Sequence, residues 1–165
     1  MLRRGAAAVG AMAGALLLSG CGAEVLPLVA VRLDAAGAAE VVLRPCGDDL
    51  VQGLGLDGTT AAEADSDSAR NRSGWRAPDR LRPDDAEFPL FSPPGDWHVR
   101  PAGEQRLVPG YTYRLAFGKA EFDYEYTGIV AFTADDLATL APGQVWADDR
   151  PMSLGEFEEL AEGSC

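Results

Sequence analysis

The clearest pattern in the chain is an alternation of apolar and polar residues in its second half. In the stretch YTYRLAF, residues 111–117, apolar side chains occupy every second position, and Thr112 and Arg114 fall between them. The stretch FDYEYTGIVAF, residues 122–132, alternates in a similar way. Because the side chains of a strand point alternately to its two faces, both stretches predict strands with one buried face. Residues 118–121 would join them as a hairpin.

Aliphatic and β-branched runs predict further strands in the first half. Residues 25–33 and 38–44 form two such runs, separated by the turn-like sequence DAAG. Residues 50–56 predict a third strand, interrupted by Gly53 and Gly55. Together these runs favour a β-rich fold.

The segment 57–95 has a different composition. It contains five arginines between positions 70 and 82, several acids, and prolines at positions 78, 83, 89, 93 and 94. So many charges and proline breakers leave little apolar surface to bury, and the pattern predicts a long, partly mobile excursion. The large apolar residues that would anchor it locally are Trp75, Phe88, Leu90 and Phe91.

Two short helices are predicted near the C-terminus. Thr133 can cap ADDLATL, with Asp136 three residues later and Pro142-Gly143 as a stop. Ser153 can cap LGEFEELA, and Glu156 would complete a capping box there. The inward stripe of this second helix would consist of Phe157, Leu160 and Ala161.

The stretch LVPGYTYRLAF resembles the Leu-x-Pro-x-x-x-Tyr-x-aliphatic stretch of fibronectin type III and immunoglobulin-like domains. In those domains a tyrosine hydroxyl caps the turn into a core strand, and Tyr113 holds the matching position. The resemblance implies a mainly β fold, an immunoglobulin-like or fibronectin-like β-sandwich, here followed by the two short helices. Chance alternation is the alternative interpretation of the same residues.

The N-terminal stretch predicts export. Arg3 and Arg4 precede an uncharged apolar run over residues 5–18, which is too short to span a bilayer. Its ending, Leu18-Ser19-Gly20-Cys21, resembles the lipobox of bacterial lipoproteins, and the Ala-, Gly-, Arg- and Asp-rich composition resembles small lipoproteins of actinobacteria. The resemblance implies removal of residues 1–20 and a diacylglyceryl group on Cys21. An ordinary secretory peptide with a chance cysteine is the alternative.

Length and charge limit what the remaining residues, 21–165, can be. Their number suits a single β-rich domain. The chain has 26 acidic and 14 basic residues and a formal net charge of −12, which disfavours nucleic acid as a partner. We expect the acid excess to keep a tethered domain soluble, and cation binding is the alternative role.

Once Cys21 is lipidated, Cys46 and Cys165 remain. In an exported chain, an even number of remaining cysteines predicts one disulfide, and two free thiols are the alternative. A metal site is disfavoured, because His98 is the single histidine of the chain and no Cys-x-x-Cys motif occurs. We predict no metal ligands and no cofactor.

Candidate catalytic groups are sparse. His98 follows Asp96 by two positions, but the chain has no Gly-x-Ser-x-Gly motif to supply a nucleophile, so a strand-edge histidine beside Trp97 is expected. The acidic pairs and triplets are expected to be solvated loop charge rather than calcium ligands, and they comprise Asp65/Asp67, Asp84/Asp85/Glu87 and Asp148/Asp149. Aromatic residues of the alternating strands, with Trp146, could line a ligand groove, but alternation favours the core for most of them.

These observations predict a non-enzymatic binding or accessory module, without catalytic residues. It would be lipid-anchored through Cys21 at the extracytoplasmic face of the cell membrane. Its partner would be an envelope protein or a small ligand. The alternatives are an envelope hydrolase that uses carboxylates of the segment 57–95 and a cation-binding lipoprotein.

Overall fold

The computed structural model describes residues 24–63, 72–78, 80–119 and 126–165. Cys21, the acids at positions 65 and 67, and the predicted start of the second alternating strand lie outside these ranges. The fold is mainly β, with eleven strands among the described residues, a short 3-10 turn at Gly95–Trp97 and two α-helices. The predicted mainly β class is therefore confirmed.

The strands form two sheets that share one hydrophobic core. Sheet 1 contains six strands in the order β1-β9-β8-β4-β5-β7. In chain order they are β1 (Glu24–Leu26), β4 (Val51–Thr60), β5 (Ser73–Arg76), β7 (Arg100–Gly103), β8 (Tyr111–Lys119) and β9 (Tyr126–Thr133). All neighbours are antiparallel except β1 and β9, which are parallel.

Sheet 2 contains five strands in the order β11-β10-β2-β3-β6. They are β2 (Val29–Leu33), β3 (Ala39–Leu43), β6 (Ala86–Pro89), β10 (Gln144–Ala147) and β11 (Arg150–Ser153). The two sheets meet at Trp75 and Phe88, whose ring centroids are 6.1 Å apart. They are also joined by a 2.8 Å hydrogen bond that Trp146 Nε1 donates to the Ala131 carbonyl oxygen.

Aromatic rings cover glycines inside sheet 1. Tyr113 is the direct partner of Gly58 on β4, and Phe117 is the direct partner of Gly128 on β9. A Cβ atom added at either glycine would overlap the opposite ring. Glycine weakens a strand by itself, so each ring restores the packing that its partner lacks, and Tyr113 and Phe117 are almost completely buried.

The predicted role of the Tyr113 hydroxyl is visible in its hydrogen bonds. It accepts a bond of 2.7 Å from the Val108 backbone N–H, and it lies 3.1 Å from both the Arg106 carbonyl oxygen and Ser73 Oγ. These bonds tie the turn before β8 to the strand itself. Ser73 is also buried, so the polar cluster is enclosed.

The first predicted strand was wrong in its continuity. Residues 25–33 form two strands, and the chain passes from sheet 1 to sheet 2 at Pro27. Proline has no backbone N–H to donate to a ladder, so it is suited to this break. The strands predicted at 38–44 and 50–56 appear as β3 and β4, with β4 extended to Thr60.

The prediction for the segment 57–95 also needs correction. Its described part is not a separate excursion, because it completes β4 and supplies β5 and β6, one strand to each sheet. Trp75, Phe88 and Leu90 are buried, and Trp75 Nε1 donates a 2.7 Å hydrogen bond to the Leu90 carbonyl oxygen. These three apolar side chains therefore hold the segment against the core in spite of its many charges and prolines.

Both predicted helices are present as α1 (Ala134–Ala138) and α2 (Leu154–Ser164). Thr133 and Asp136 form the full capping box of α1. At α2, Ser153 accepts from the Glu156 backbone N–H, but the Glu156 carboxylate bonds to Arg150 instead, so the predicted box is half formed. The strands β10 and β11 between the helices were not predicted.

Candidate functional site

The two sheets differ in what lies on their outer faces. Helix α2 packs on β10 and β11 of sheet 2, where it buries Phe157 and Ala161. The outer face of sheet 1 carries a long shallow hollow, and no helical residue among those described lines it. An uncovered hollow on a sheet is a candidate binding surface.

We call this hollow the arginine groove and define it by Gly53, Arg76, Arg114 and Ala116, which line both of its halves. One half, of 230 Å³, continues toward Gly118 and Thr127. The other, of 300 Å³, continues toward Asp57 and Glu63. The volume of each half alone is at or just below the lower end of the range of volumes found for small-molecule sites.

Strand register places the groove residues. Gly55 on β4 is the direct partner of Arg76 on β5 and of Ala116 on β8. Arg114 is the direct partner of Asp57, two residues further along β4. Direct partners share a face of the sheet, so the two arginine side chains rise from strands on either side of β4.

The floor of the groove is low because its residues are small. Gly53 has φ +68°, and a register irregularity lies between Gln52 and Gly55. A Cβ atom at Gly55 would come within 3.0 Å of the Trp75 carbonyl oxygen. Backbone conformation and close packing therefore both favour glycine here, and the result is a hollow rather than a ridge of side chains.

The two arginines that define the groove have no charged partner in the part of the chain that the structure describes. Arg76 and Arg114 are exposed, and within the described ranges neither makes an ion pair or a side-chain hydrogen bond. Arg100 on β7 is the direct partner of Arg76 and is exposed as well. Three arginines thus gather on one face of a chain whose net charge is −12.

The larger half of the groove carries acids as well as arginines. The Asp57 carboxylate lies 3.8 Å from the Arg72 guanidinium, and Glu63 lies 3.3 Å from the Thr60 hydroxyl. Arg76 and Arg114 line both halves, so the smaller half is cationic, and the larger half is mixed, with acids and hydroxyls beside the arginines. This division restricts which ligands fit along its length.

A second hollow, of 340 Å³, lies between Arg44 and the C-terminus. Arg44 bonds to Glu158 of α2 at 2.7 Å and to Glu87 of β6 at 2.8 Å. The hydrogen bond to Glu158 is the main cause that raises the pKa of Arg44, and the hydrogen bond from Arg44 lowers the pKa of Glu87. Because these charges are paired, they explain how α2 is held on sheet 2 and do not leave a free binding group.

The predicted disulfide is present beside this network. Cys46 and Cys165 are bonded, with their Cα atoms 5.4 Å apart and 119 residues of sequence separation between them. The bond fixes the end of α2 to the segment that follows β3. The predicted pairing of Cys46 with Cys165 is confirmed.

The other sequence candidates are dispersed. His98 is exposed, with φ +48° directly after the 3-10 turn, so it lies outside a strand. Asp148 and Asp149 form the two-residue turn between β10 and β11, both with positive φ, a conformation typical of type I′ hairpins. Asp85 and Glu87 face Arg44. In the described part of the chain, no group of three or more His, Cys, Asp or Glu residues is arranged to hold a metal ion.

The aromatic residues of the alternating strands, as far as the structure describes them, and Trp146 do not line a ligand groove. Tyr113 and Tyr126 belong to the core, and the indole N–H of Trp146 is bound to β9. Sequence reasoning missed the arginine groove. Arg114 carried a signal as a polar position in an alternating strand, but Arg76 and Arg100 could be placed only once β5 and β7 were known.

Comparison of the chain with family models, curated proteins and solved structures gives no significant match. Within residues 24–63, 72–78, 80–119 and 126–165, neither helix has the length and apolar character needed to cross a bilayer.

Proposed function

We propose that this protein is a non-enzymatic binding module, lipid-anchored through Cys21 at the extracytoplasmic face of the cell membrane, and that the outer face of sheet 1 is its recognition surface. The observation that supports this most is the arginine groove. It combines an uncovered hollow with exposed cations that have no ion-pair partner among the described residues. Binding surfaces keep such groups available, whereas structural ion pairs use them.

The anchor is supported by the lipobox sequence and by the disulfide. A Cys46–Cys165 bond persists in oxidising compartments outside the cytoplasm. Strand β1 begins at Glu24, three residues after Cys21, so a lipid there would attach close to an edge of sheet 1. The mature protein would thus carry its recognition surface on the sheet nearest the tether.

We also infer that the two sheets form an immunoglobulin-like sandwich. Two observations support this: the sheets share one core, and the Tyr113 hydroxyl binds the backbone five residues upstream, as in a tyrosine corner. Folds of this type bind ligands through their sheet faces or their end loops. The fold therefore agrees with a binding role, but it does not specify the partner.

The experiment is complementation of a strain that lacks this protein, scored by growth under envelope stress. Cys21→Ser tests the anchor, and Ala116→Phe fills the groove without a change of charge. We expect both variants to fail to complement, while Ala138→Phe, on the exposed side of α1, complements fully. Full complementation by Cys21→Ser would exclude the anchor, and full complementation by a folded Ala116→Phe would exclude the groove. His98→Ala is expected to complement, and its failure while folded would indicate an enzyme.

A further inference from the structure

We propose that the smaller half of the arginine groove, which is lined by arginines and, among the described residues, by no acid, binds the phosphate group of a small, hydroxyl-bearing phosphate ester. This inference rests on the proposed recognition surface and names its ligand class. It starts from the two arginines, Arg76 and Arg114, that flank the glycine floor on β4.

The arginines on this face carry positive charge that no nearby acid in the described part of the chain neutralises. Arg76, Arg100 and Arg114 have no carboxylate within ion-pair distance in the described ranges, although acids outnumber bases almost two to one in the chain. Arg76 and Arg100 are also direct cross-strand partners, an arrangement in which like charges repel. A phosphate ester with one or two negative charges would relieve this repulsion, and a neutral ligand would not.

The strand order places two of these arginines where both can reach one anion. Arg76 and Arg114 lie on strands to either side of β4, and neighbouring strands are about 4.8 Å apart, so their backbones are about 10 Å apart across the sheet. A guanidinium carries several donors in a fixed fork that matches phosphate oxygens. With glycine and alanine beneath them, two arginine side chains can converge on one anion from opposite sides.

The acids of the groove limit the size of the anion. Asp57 and Glu63 line only the larger half of the groove, and Asp57 is also the direct cross-strand partner of Arg114, so a second negative charge placed in that half would be repelled. A linear polyanion that extends along the groove is therefore disfavoured. A neutral, hydroxylated body suits the larger half, because Asp57 accepts hydrogen bonds and Thr59 and Thr112 both donate and accept them.

The test is calorimetric titration of the full chain, purified in non-ionic detergent, with four soluble probes: glycerol 3-phosphate, glycerate, glycerol and glycerophosphoglycerol. We expect saturable binding of glycerol 3-phosphate in the millimolar range or tighter, weakened by added salt. Binding of glycerate should be weaker, and glycerol should not bind. Tighter binding of glycerophosphoglycerol, a diester, would identify a lipid-like headgroup as the source of the phosphate, and tighter binding of the monoester would identify a soluble ester.

Variants assign the binding to the groove. Arg76→Gln and Arg114→Gln should each weaken glycerol 3-phosphate binding by roughly tenfold or more, because each removes a charge-assisted contact. Arg150→Gln makes the same change of charge in sheet 2 and should bind like the wild type.

Absence of saturable binding, glycerate binding tighter than glycerol 3-phosphate, or arginine variants that bind like the wild type would each overturn the proposal. If Ala116→Phe abolishes complementation while both arginine variants complement fully, the recognition surface stands and the phosphate assignment fails.

Discussion

Arg76 on β5 and Arg100 on β7 are direct cross-strand partners, so two positive side chains start from adjacent positions on the outer face of sheet 1. Like charges in this arrangement destabilise a strand pair. Stability alone gives no reason to place them together in an acidic protein. The pair is understandable if an anion from outside the chain neutralises it.

The first prediction concerns this repulsion. Arg100→Gln should raise the free energy of unfolding at low salt by about 0.2–1 kcal/mol, since it removes one of two opposed cations. High salt should shrink the gain by screening. Thermal unfolding at two salt concentrations measures both. Arg150→Gln, which instead breaks an ion pair with Glu156, serves as the control and should show no gain. A lower melting temperature for Arg100→Gln at low salt would contradict the interpretation.

The second prediction concerns the tyrosine hydroxyl. Tyr113→Phe should lower the free energy of unfolding by about 1–3 kcal/mol, because it leaves the Val108 N–H without its acceptor in an enclosed cluster. Tyr111→Phe is the matched control, since Tyr111 is half-buried and its hydroxyl has no hydrogen bond within the described ranges. Denaturant unfolding measures both variants. Equal effects of the two substitutions would show that the hydroxyl of Tyr113 has no special role.

The third prediction concerns the disulfide. Reduction of Cys46–Cys165, or a Cys46→Ser/Cys165→Ser double substitution, should lower the denaturation midpoint. The chain-entropy model gives an upper value of about 4–5 kcal/mol for so long a loop. The core side chains of α2, Phe157 and Ala161, should keep the fold intact in mild conditions. An unchanged midpoint after complete reduction would mean that the bond adds nothing to stability.

The fourth prediction concerns pH. Arg44 lowers the pKa of Glu87 in the folded state, so this group stabilises the fold above its ordinary pKa of about 4.3. That contribution is lost as the pH falls through the lowered folded-state value. As the pH falls from about 5 to about 2.5, the free energy of unfolding of Glu87→Gln should therefore decrease less than that of the wild type. Urea unfolding at a series of pH values over this interval measures both proteins. Identical slopes for both proteins would exclude Glu87 as a contributor.

Local signals predicted much of the fold. Alternation located β8 and the described part of β9, capping residues located both helices, and cysteine parity paired Cys46 with Cys165. These features depend on neighbours in the sequence or on redox chemistry. Sequence reasoning was therefore most reliable where one or two residues determine the local structure.

The arginine groove could not be predicted from the sequence, because it depends on residues that are far apart in the chain. β5 and β7 have four residues each, and β5 contains one large apolar side chain, Trp75, beside one charged residue, Arg76. β5 is completed by hydrogen bonds to β4 and β7 on its two sides, whereas β7 is an edge strand that pairs with β5 alone among the described strands. The proximity of Arg76, Arg100 and Arg114 depends on the order of strands in sheet 1, and that order has no local signal.

The most direct measurement for the central claim is an amide chemical-shift map of the isotopically labelled full chain during titration with glycerol 3-phosphate. We predict that the largest shifts fall on Gly53, Gly55 and Gly118, whose backbones surround the arginine groove. Arg114→Gln should remove them. Shifts that instead cluster at Gly47 and Cys165, around the second hollow, would contradict the assignment of the outer face of sheet 1 as the recognition surface.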